Sequence, residues 1–266
     1  MPLPPDFAAA SDEAWRRMHE APGLLTEREG QFLALAAAAA PGRGTILEIG
    51  SFKGKSTVGL ASIAARYGLG PIVAVDPFTA PASTDPSLGG LASSYDAFRE
   101  TLARAGLTEH VEVHSALSRQ LARAWDRPIR ILWIDGDHSY EGAKQDFDLF
   151  APHLVDGGVV LLHDVLHSFA GPIRVFVEQV LRSQAFGPAG FCGSIGWGQY
   201  RPRGGSAARF QGPRLALARR AARLIPLAAR GRELRGFGKL CYQLLRATVP
   251  HGDVDPSDWA ALVASA

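Results

Sequence analysis

Two rhythms of apolar residues alternate along the chain. Compact apolar runs at 45–49, 72–76, 111–114, 131–134 and 159–162 have the length of buried strands, and longer segments with apolar positions three and four apart separate them. Between the last two runs, Tyr140, Ala143, Phe147, Phe150 and Leu154 form one helical stripe. Strand, helix and strand in succession predict parallel neighbours joined by right-handed crossovers, and so a doubly wound α/β sheet.

Helices are also expected at 11–20, 26–40, 58–67, 95–105, 117–125 and 173–182. Thr26 and Glu29 have capping-box spacing, and the glycines and aromatics of 191–200 predict a closing hairpin. The stretch 77–94 is rich in Pro, Ser, Thr, Ala and Gly without a period, which suits a flap over a site. Beyond 201 the pattern changes to Arg-rich amphipathic helices at 214–230 and 233–248. Three parts follow: an N-terminal helical cap at 1–43, a sheet domain at 44–204, and a basic helical C-terminal extension at 205–266.

The candidate chemistry lies at the carboxyl ends of the strands, where open α/β sheets bind ligands. The first strand runs through Glu48 into a glycine-bearing turn, Gly50, Ser51 and Gly54, whose backbone can approach a ligand closely. Lys55 and Ser56 follow, but the spacing is one residue short of a P-loop, and Phe52 replaces the second glycine of a dinucleotide fingerprint. An acid at Glu48 repels phosphate and suits a cationic or hydroxyl-rich ligand. Asp76 ends the second strand at the place of a ribose-binding carboxylate, and Ser115, after the third, is positioned for an adenine edge. The fourth strand delivers Asp135, Asp137 and His138, and the fifth His163 and Asp164. Neighbouring strands lie about 4.8 Å apart, so one divalent ion can bridge Asp135 and Asp164. Asp137 and His167 stay open between supporting the site and facing solvent. Trp133 is expected to pack in the sheet and Asp146 to be structural, with Glu141, Lys144 and Asp148 on a solvated helix face.

A hydrophobic content of 47% and a charged content of 20% are those of a globular protein, not of a disordered chain. Cys192 and Cys241 are too far apart in sequence for a CxxC motif and offer no disulfide framework. The first residues lack the basic and apolar regions of a signal peptide, and no apolar run reaches membrane-span length. A cytoplasmic location is the expectation. Net charge is +2, yet residues 201–250 carry 12 Lys/Arg against one acid, Glu233, which leaves the rest of the chain acidic.

Glu48-Ile-Gly50-Ser-Phe-Lys-Gly54, Asp76, and Asp135-Gly-Asp-His138-Ser-Tyr-Glu141 followed by Gly157-Gly-Val-Val-Leu-Leu-His163-Asp164 resemble class I S-adenosylmethionine-dependent methyltransferases. Within that class, 44–200 is similar to the bacterial metal-dependent sugar O-methyltransferases, with catechol O-methyltransferase a more distant relative. The resemblance implies a Rossmann-like, seven-stranded, mostly parallel sheet, with the cofactor over the first two strands and the acceptor beyond the fourth and fifth. It implies that Glu48, Gly50 and Ser51, with Gly54 in the same turn, border the methionine end of the cofactor near Asp135, and that Asp76 holds the ribose. Asp135 and Asp164 become ligands of Mg²⁺ or another divalent cation, and His163 stands where relatives often have a second acid. His138 takes the place of a general base. The implied reaction is methyl transfer from a sulfonium to a hydroxyl of a sugar or glycosylated metabolite, activated by the cation and deprotonated by the histidine.

Two other readings stay open: a nucleotide-dependent ATPase or kinase built on Lys55 and Ser56, and a non-catalytic cofactor-binding protein whose basic tail does the work. The tail itself suits a lid or homo-oligomer interface, or a contact with anionic lipid. Nucleic acid is least favoured, because aromatics are few in it.

Overall fold

The computed structural model describes residues 3–70, 72–79, 92–203, 205–228 and 234–266; most of the expected flap, 80–91, and Glu233 lie outside the described residues. In chain order come α1 (Phe7–Glu20), α2 (Glu27–Ala39), β1 (Thr45–Ile49), α3 (Lys55–Arg66), β2 (Ile72–Asp76), α4 (Tyr95–Arg104) and β3 (Val111–Ser115). There follow α5 (Ser118–Leu121), β4 (Ile129–Ile134), α6 (Tyr140–Phe150), β5 (Leu154–Leu162), α7 (Ala170–Val175), β6 (Phe186–Cys192) and β7 (Ile195–Tyr200). A π-helical turn, Phe176–Leu181, continues α7. The chain ends in α8 (Ser206–Arg209), α9 (Gln211–Ala222), α10 (Ile225–Ala228), α11 (Gly236–Ala247) and α12 (Pro256–Ser265).

The seven strands form one sheet in the order β3-β2-β1-β4-β5-β7-β6. The first five are parallel, and the β6–β7 hairpin adds the antiparallel edge. Strand order reverses between β1 and β4, which opens a crevice at their carboxyl ends. Alternate residues face opposite sides: Ile131, Trp133, Val159 and Leu161 join one buried cluster, and Leu132, Ile134, Val160 and Leu162 the other.

α1, α2 and α3 cover the first face. α2 is opened by the expected capping box, Thr26 accepting from the Glu29 amide while the Glu29 carboxylate accepts from the Thr26 amide. The expected divisions at 43/44 and 204/205 separate no independent cores. Trp259, Ala260 and Val263 of α12 lie in the first cluster, and Ala218, Ala221, Leu224, Ala228, Tyr242 and Val249 in the second. Arg214 is buried and donates to the carbonyls of Val180, Leu181 and Ser183 and, from its other terminal nitrogen, to Ala207, fastening α9 to the π-helical turn.

Differences from the sequence reading have local causes. Leu154, assigned to the helical stripe, is the first residue of β5, because the chain leaves α6 through the Ala151–His153 turn containing Pro152. α3 starts at Lys55, three residues early, since Gly54 takes φ +90° and ends the turn there. The tail breaks into shorter helices than 214–230 and 233–248, and it adds α12, capped by Asp255 and led by Pro256.

Candidate active site

At the carboxyl ends of β1, β2, β4 and β5 lies a cavity of about 640 Å³. Its wall includes Gly50, Ser51, Asp76, Asp135, Asp137, His138, His163, Asp164 and His167. Register explains the convergence. Ile134 pairs with Ile49 on one side and Leu162 on the other, so the residues that follow leave the sheet together. Gly50 turns at φ +85°, and a Cβ there would sit 2.2 Å from the Asp135 carbonyl oxygen. Only glycine allows β1 and β4 to part this closely.

Asp76 organises the turn. Its Oδ2 accepts from the amides of Ser51 and Phe52, each at 2.8 Å, and its Oδ1 from the amide of Phe78 at 2.6 Å. Phe52 and Phe78 both have positive φ, +46° and +53°, a conformation costly for a bulky residue. One carboxylate therefore holds two strained residues, and it still faces the cavity. Burial raises its pKa, against the pull of those three amides.

Glu48 lies underneath and not on the wall. It is fully buried and accepts from the hydroxyls of Ser51, Ser56 and Thr57. Burial lifts it to about 7, against those three hydrogen bonds and with the Asp135 charge adding. Its visible task is to hold the turn to α3. Gly54 is likewise behind the wall, facing Phe98, and Ser115 is exposed outside it; Leu117, Ser118 and Arg119 line that end instead. Lys55, the residue a phosphate reading needs, lies over the Trp15 ring at 5.5 Å with its ammonium 3.4 Å from the Gly23 carbonyl.

At the other end, Asp135, His138 and Asp164 offer ligand atoms all within 4.8 Å of one another. The two carboxylates suit a hard divalent cation such as Mg²⁺ or Mn²⁺. His163, expected among the ligands, is not in this trio. Its Nδ1 lies 3.0 Å from Asp135 Oδ1 and 3.6 Å from Asp164 Oδ1, and its Nε2 3.9 Å from Glu29 Oε2. Burial alone would lower its pKa, but the Asp135 and Asp164 charges and the contacts with Asp135 and Glu29 outweigh it, so His163 is held protonated well above its ordinary range. The imidazolium ties the carboxylates together.

His138 Nε2 is 3.2 Å from Asp164 Oδ2, and neither of its ring nitrogens has an aligned hydrogen bond although both are shielded from solvent. Its ring stacks on Phe169. Asp164 itself adopts φ +55°, a left-handed conformation an aspartate tolerates, and this swings its carboxylate toward both histidines.

Several wall residues were given no site role from the sequence, Glu29, Phe169, Arg119 and Arg246 among them. Glu29 was visible only as a cap, yet its Oε1 also accepts from the Ser194 amide and hydroxyl. Its carboxyl is held far below the usual range, burial opposing and His163 and Ser194 lowering it. Phe169 sits in a stretch without periodicity, Arg119 on a short helix, and Arg246 among many arginines; no local pattern marks them.

Residues 47–165 match the family model of a methyltransferase domain. Among solved structures, the O-methyltransferase NovP is similar at 13% identity and TM-score 0.61, covering 74% of this chain and 100% of its own. Cofactor-bound Rv0187 from MTB matches at 22% identity and TM-score 0.55, covering 74% and 88%. The O-methyltransferase TomG from Streptomyces achromogenes, in complex with S-adenosylmethionine, matches at 18% and TM-score 0.52, covering 76% and 92%.

Proposed function

We propose that this chain is an S-adenosylmethionine-dependent methyltransferase that methylates a hydroxyl of a sugar or glycosylated metabolite, with His138 as general base and a divalent cation on Asp135 and Asp164. The observation that carries this reading is the 3.2 Å approach of His138 to Asp164 in the same cavity as Asp76. Asp76 at the end of β2 and the acids and imidazoles at the ends of β4 and β5 line one cavity, which supports a sulfonium nucleoside lying between them with its ribose at Asp76.

The cofactor supplies an activated methyl group, and the cation lowers the pKa of the hydroxyl and orients it. The protein's residues do the rest. Asp76 presents its remaining lone pairs to the ribose hydroxyls. His138 accepts the acceptor's proton on a ring nitrogen, and the Asp164 carboxylate stabilises the imidazolium that forms. Phe169 holds that ring in place and keeps water away from it, since methyl transfer depends on in-line alignment in a dry site. His163 stays with the carboxylates and fixes their orientation. Lys55, engaged by Gly23 and Trp15, gives no support to a kinase reading.

Mass-spectrometric detection of methylated product from a panel of sugars and glycosides, with wild type and His138→Ala, tests the reaction. Product on a carboxylate or amine in place of a hydroxyl would refute it.

A second reading concerns where the enzyme works. α11 presents Phe237, Leu240 and Leu244 to solvent, 79%, 51% and 62% exposed, at spacings of three and four. The stripe belongs to the segment with 12 basic residues, and an exposed apolar stripe on a basic segment suits an anionic lipid surface. No helix among the described residues is long and apolar enough to cross a membrane, so the contact would be peripheral. Co-sedimentation with phosphatidylglycerol vesicles, lost in Phe237→Ser/Leu244→Ser, supports it; equal binding by that variant, or a dimer in solution that the variant dissociates, overturns it.

A further inference from the structure

Arg246 is one of the cations on the cavity wall, with Lys53, Lys55 and Arg119, that the proposed chemistry leaves unused, and it is the one from the C-terminal helices. Its Nε is closed off from solvent without a hydrogen-bond partner, and the side chain forms no ion pair among the described residues. Arg246 is half-buried, and its guanidinium keeps its charge and its fork of donors beside the cavity, where an anion can pair with it.

Its position is fixed from several directions. Tyr242, one turn earlier on the same face of α11, donates its hydroxyl to the His167 carbonyl, in the loop that follows Asp164. Burial pushes that phenol up to about 12, with Arg246 opposing and Asp164 adding, so both charges lie near one hydroxyl. Beyond the helix, the buried Val249 donates to the Arg246 carbonyl at 2.9 Å, and Gly193 to the His251 carbonyl at 3.0 Å, tying the chain to the β6–β7 turn. The arginine therefore stands at the end of the cavity formed by Asp164, His167 and Phe169, away from Asp76.

The geometry points to Arg246 as the anion-recognising residue of the acceptor site: the hydroxyl substrate carries a phosphate or carboxylate that the guanidinium pairs with. This rests on the acceptor end assigned above. A forked cation at the rim pairs with the acceptor's anionic group and so fixes which hydroxyl reaches His138.

The test uses the full chain with saturating S-adenosylhomocysteine, titrated separately with pyrophosphate and with malonate by calorimetry. Saturable binding of at least one anion is expected, weakened at least tenfold in Arg246→Gln, partly kept in Arg246→Lys, and unchanged in Arg219→Gln on the exposed face of α9. The stronger arm tells phosphate from carboxylate. Absence of binding in both arms, or equal binding by Arg246→Gln, overturns the assignment. So does a tenfold loss of S-adenosylhomocysteine affinity in Arg246→Gln, which would give the arginine to the cofactor's own carboxylate. Failure of wild type to bind S-adenosylhomocysteine would refute the proposed reaction instead, and the same anion titrations without it still read this site.

Discussion

The imidazole of His138 lies on the ring of Phe169, centroids 4.1 Å apart and planes 25° from parallel. A ring held only by stacking and by one carboxylate is positioned by its neighbour. Phe169→Ala is expected to lower kcat roughly tenfold through lost alignment, with S-adenosylhomocysteine affinity within about a factor of two of wild type. His138→Ala should lower kcat by about 10²–10⁴. Steady-state kinetics on both variants decide; a Phe169→Ala loss confined to KM would contradict a positioning role.

The carboxylates of Asp135 and Asp164 make a binding prediction independent of turnover. Mn²⁺ titration followed by electron paramagnetic resonance should show one site, weakened at least tenfold in Asp164→Asn, since a hard cation depends on charged oxygen ligands. Equal affinity in the variant would place the metal elsewhere.

Asp146 predicts a pH signature. It is buried under Ser118, and burial raises it to about 6, the Ser118 hydroxyl opposing and the Asp137 charge adding. An unfolded aspartate titrates near 3.9, so the folded state binds this proton more tightly than the unfolded state. Its contribution to stability therefore falls as pH rises from about 4 to 6 and stays low above that. Asp146→Asn keeps an acceptor for Ser118 and removes the titration. Urea melts of both proteins at pH 4.5, 5.5, 6.5 and 7.5 should show the variant gaining on wild type, by about 1–3 kcal/mol at the top of the range. A difference independent of pH would refute the assignment.

Arg214 predicts how the tail is attached. Arg214→Met fills the space but leaves buried carbonyls at Val180, Leu181 and Ser183 without their donor. The expected loss is about 2–4 kcal/mol, read as a drop in Tm of roughly 5–10 °C. An unchanged Tm would mean that α9 is held by apolar packing alone.

The sheet and most of the cavity could be read from the sequence because both depend on local periodicity. β1 and β2 lie where the apolar runs end, and the acids and histidines that follow each run reach the wall through strand register alone. Roles that depend on side-chain direction were not legible. Glu48 stands at a ligand-facing position by count, but hydroxyls from Ser56 and Thr57 on α3 turn it inward. His163 carries a ligating side chain, yet Asp135 and Glu29 on either side convert it to an internal cation. Arg246 reaches the cavity through a tertiary contact, Tyr242 on the His167 carbonyl, 75 residues apart in sequence.

The most direct measurement is isothermal titration of the protein with S-adenosylhomocysteine, repeated on Asp76→Asn and Asp76→Ala with circular dichroism to confirm folding. The account predicts one saturable site in wild type, weakened at least tenfold, about 1.4 kcal/mol, in both variants, because the ribose hydroxyls lose a charged acceptor. A folded wild-type protein that does not bind S-adenosylhomocysteine, or folded variants that bind it equally well, would contradict the assignment of this cavity to the cofactor.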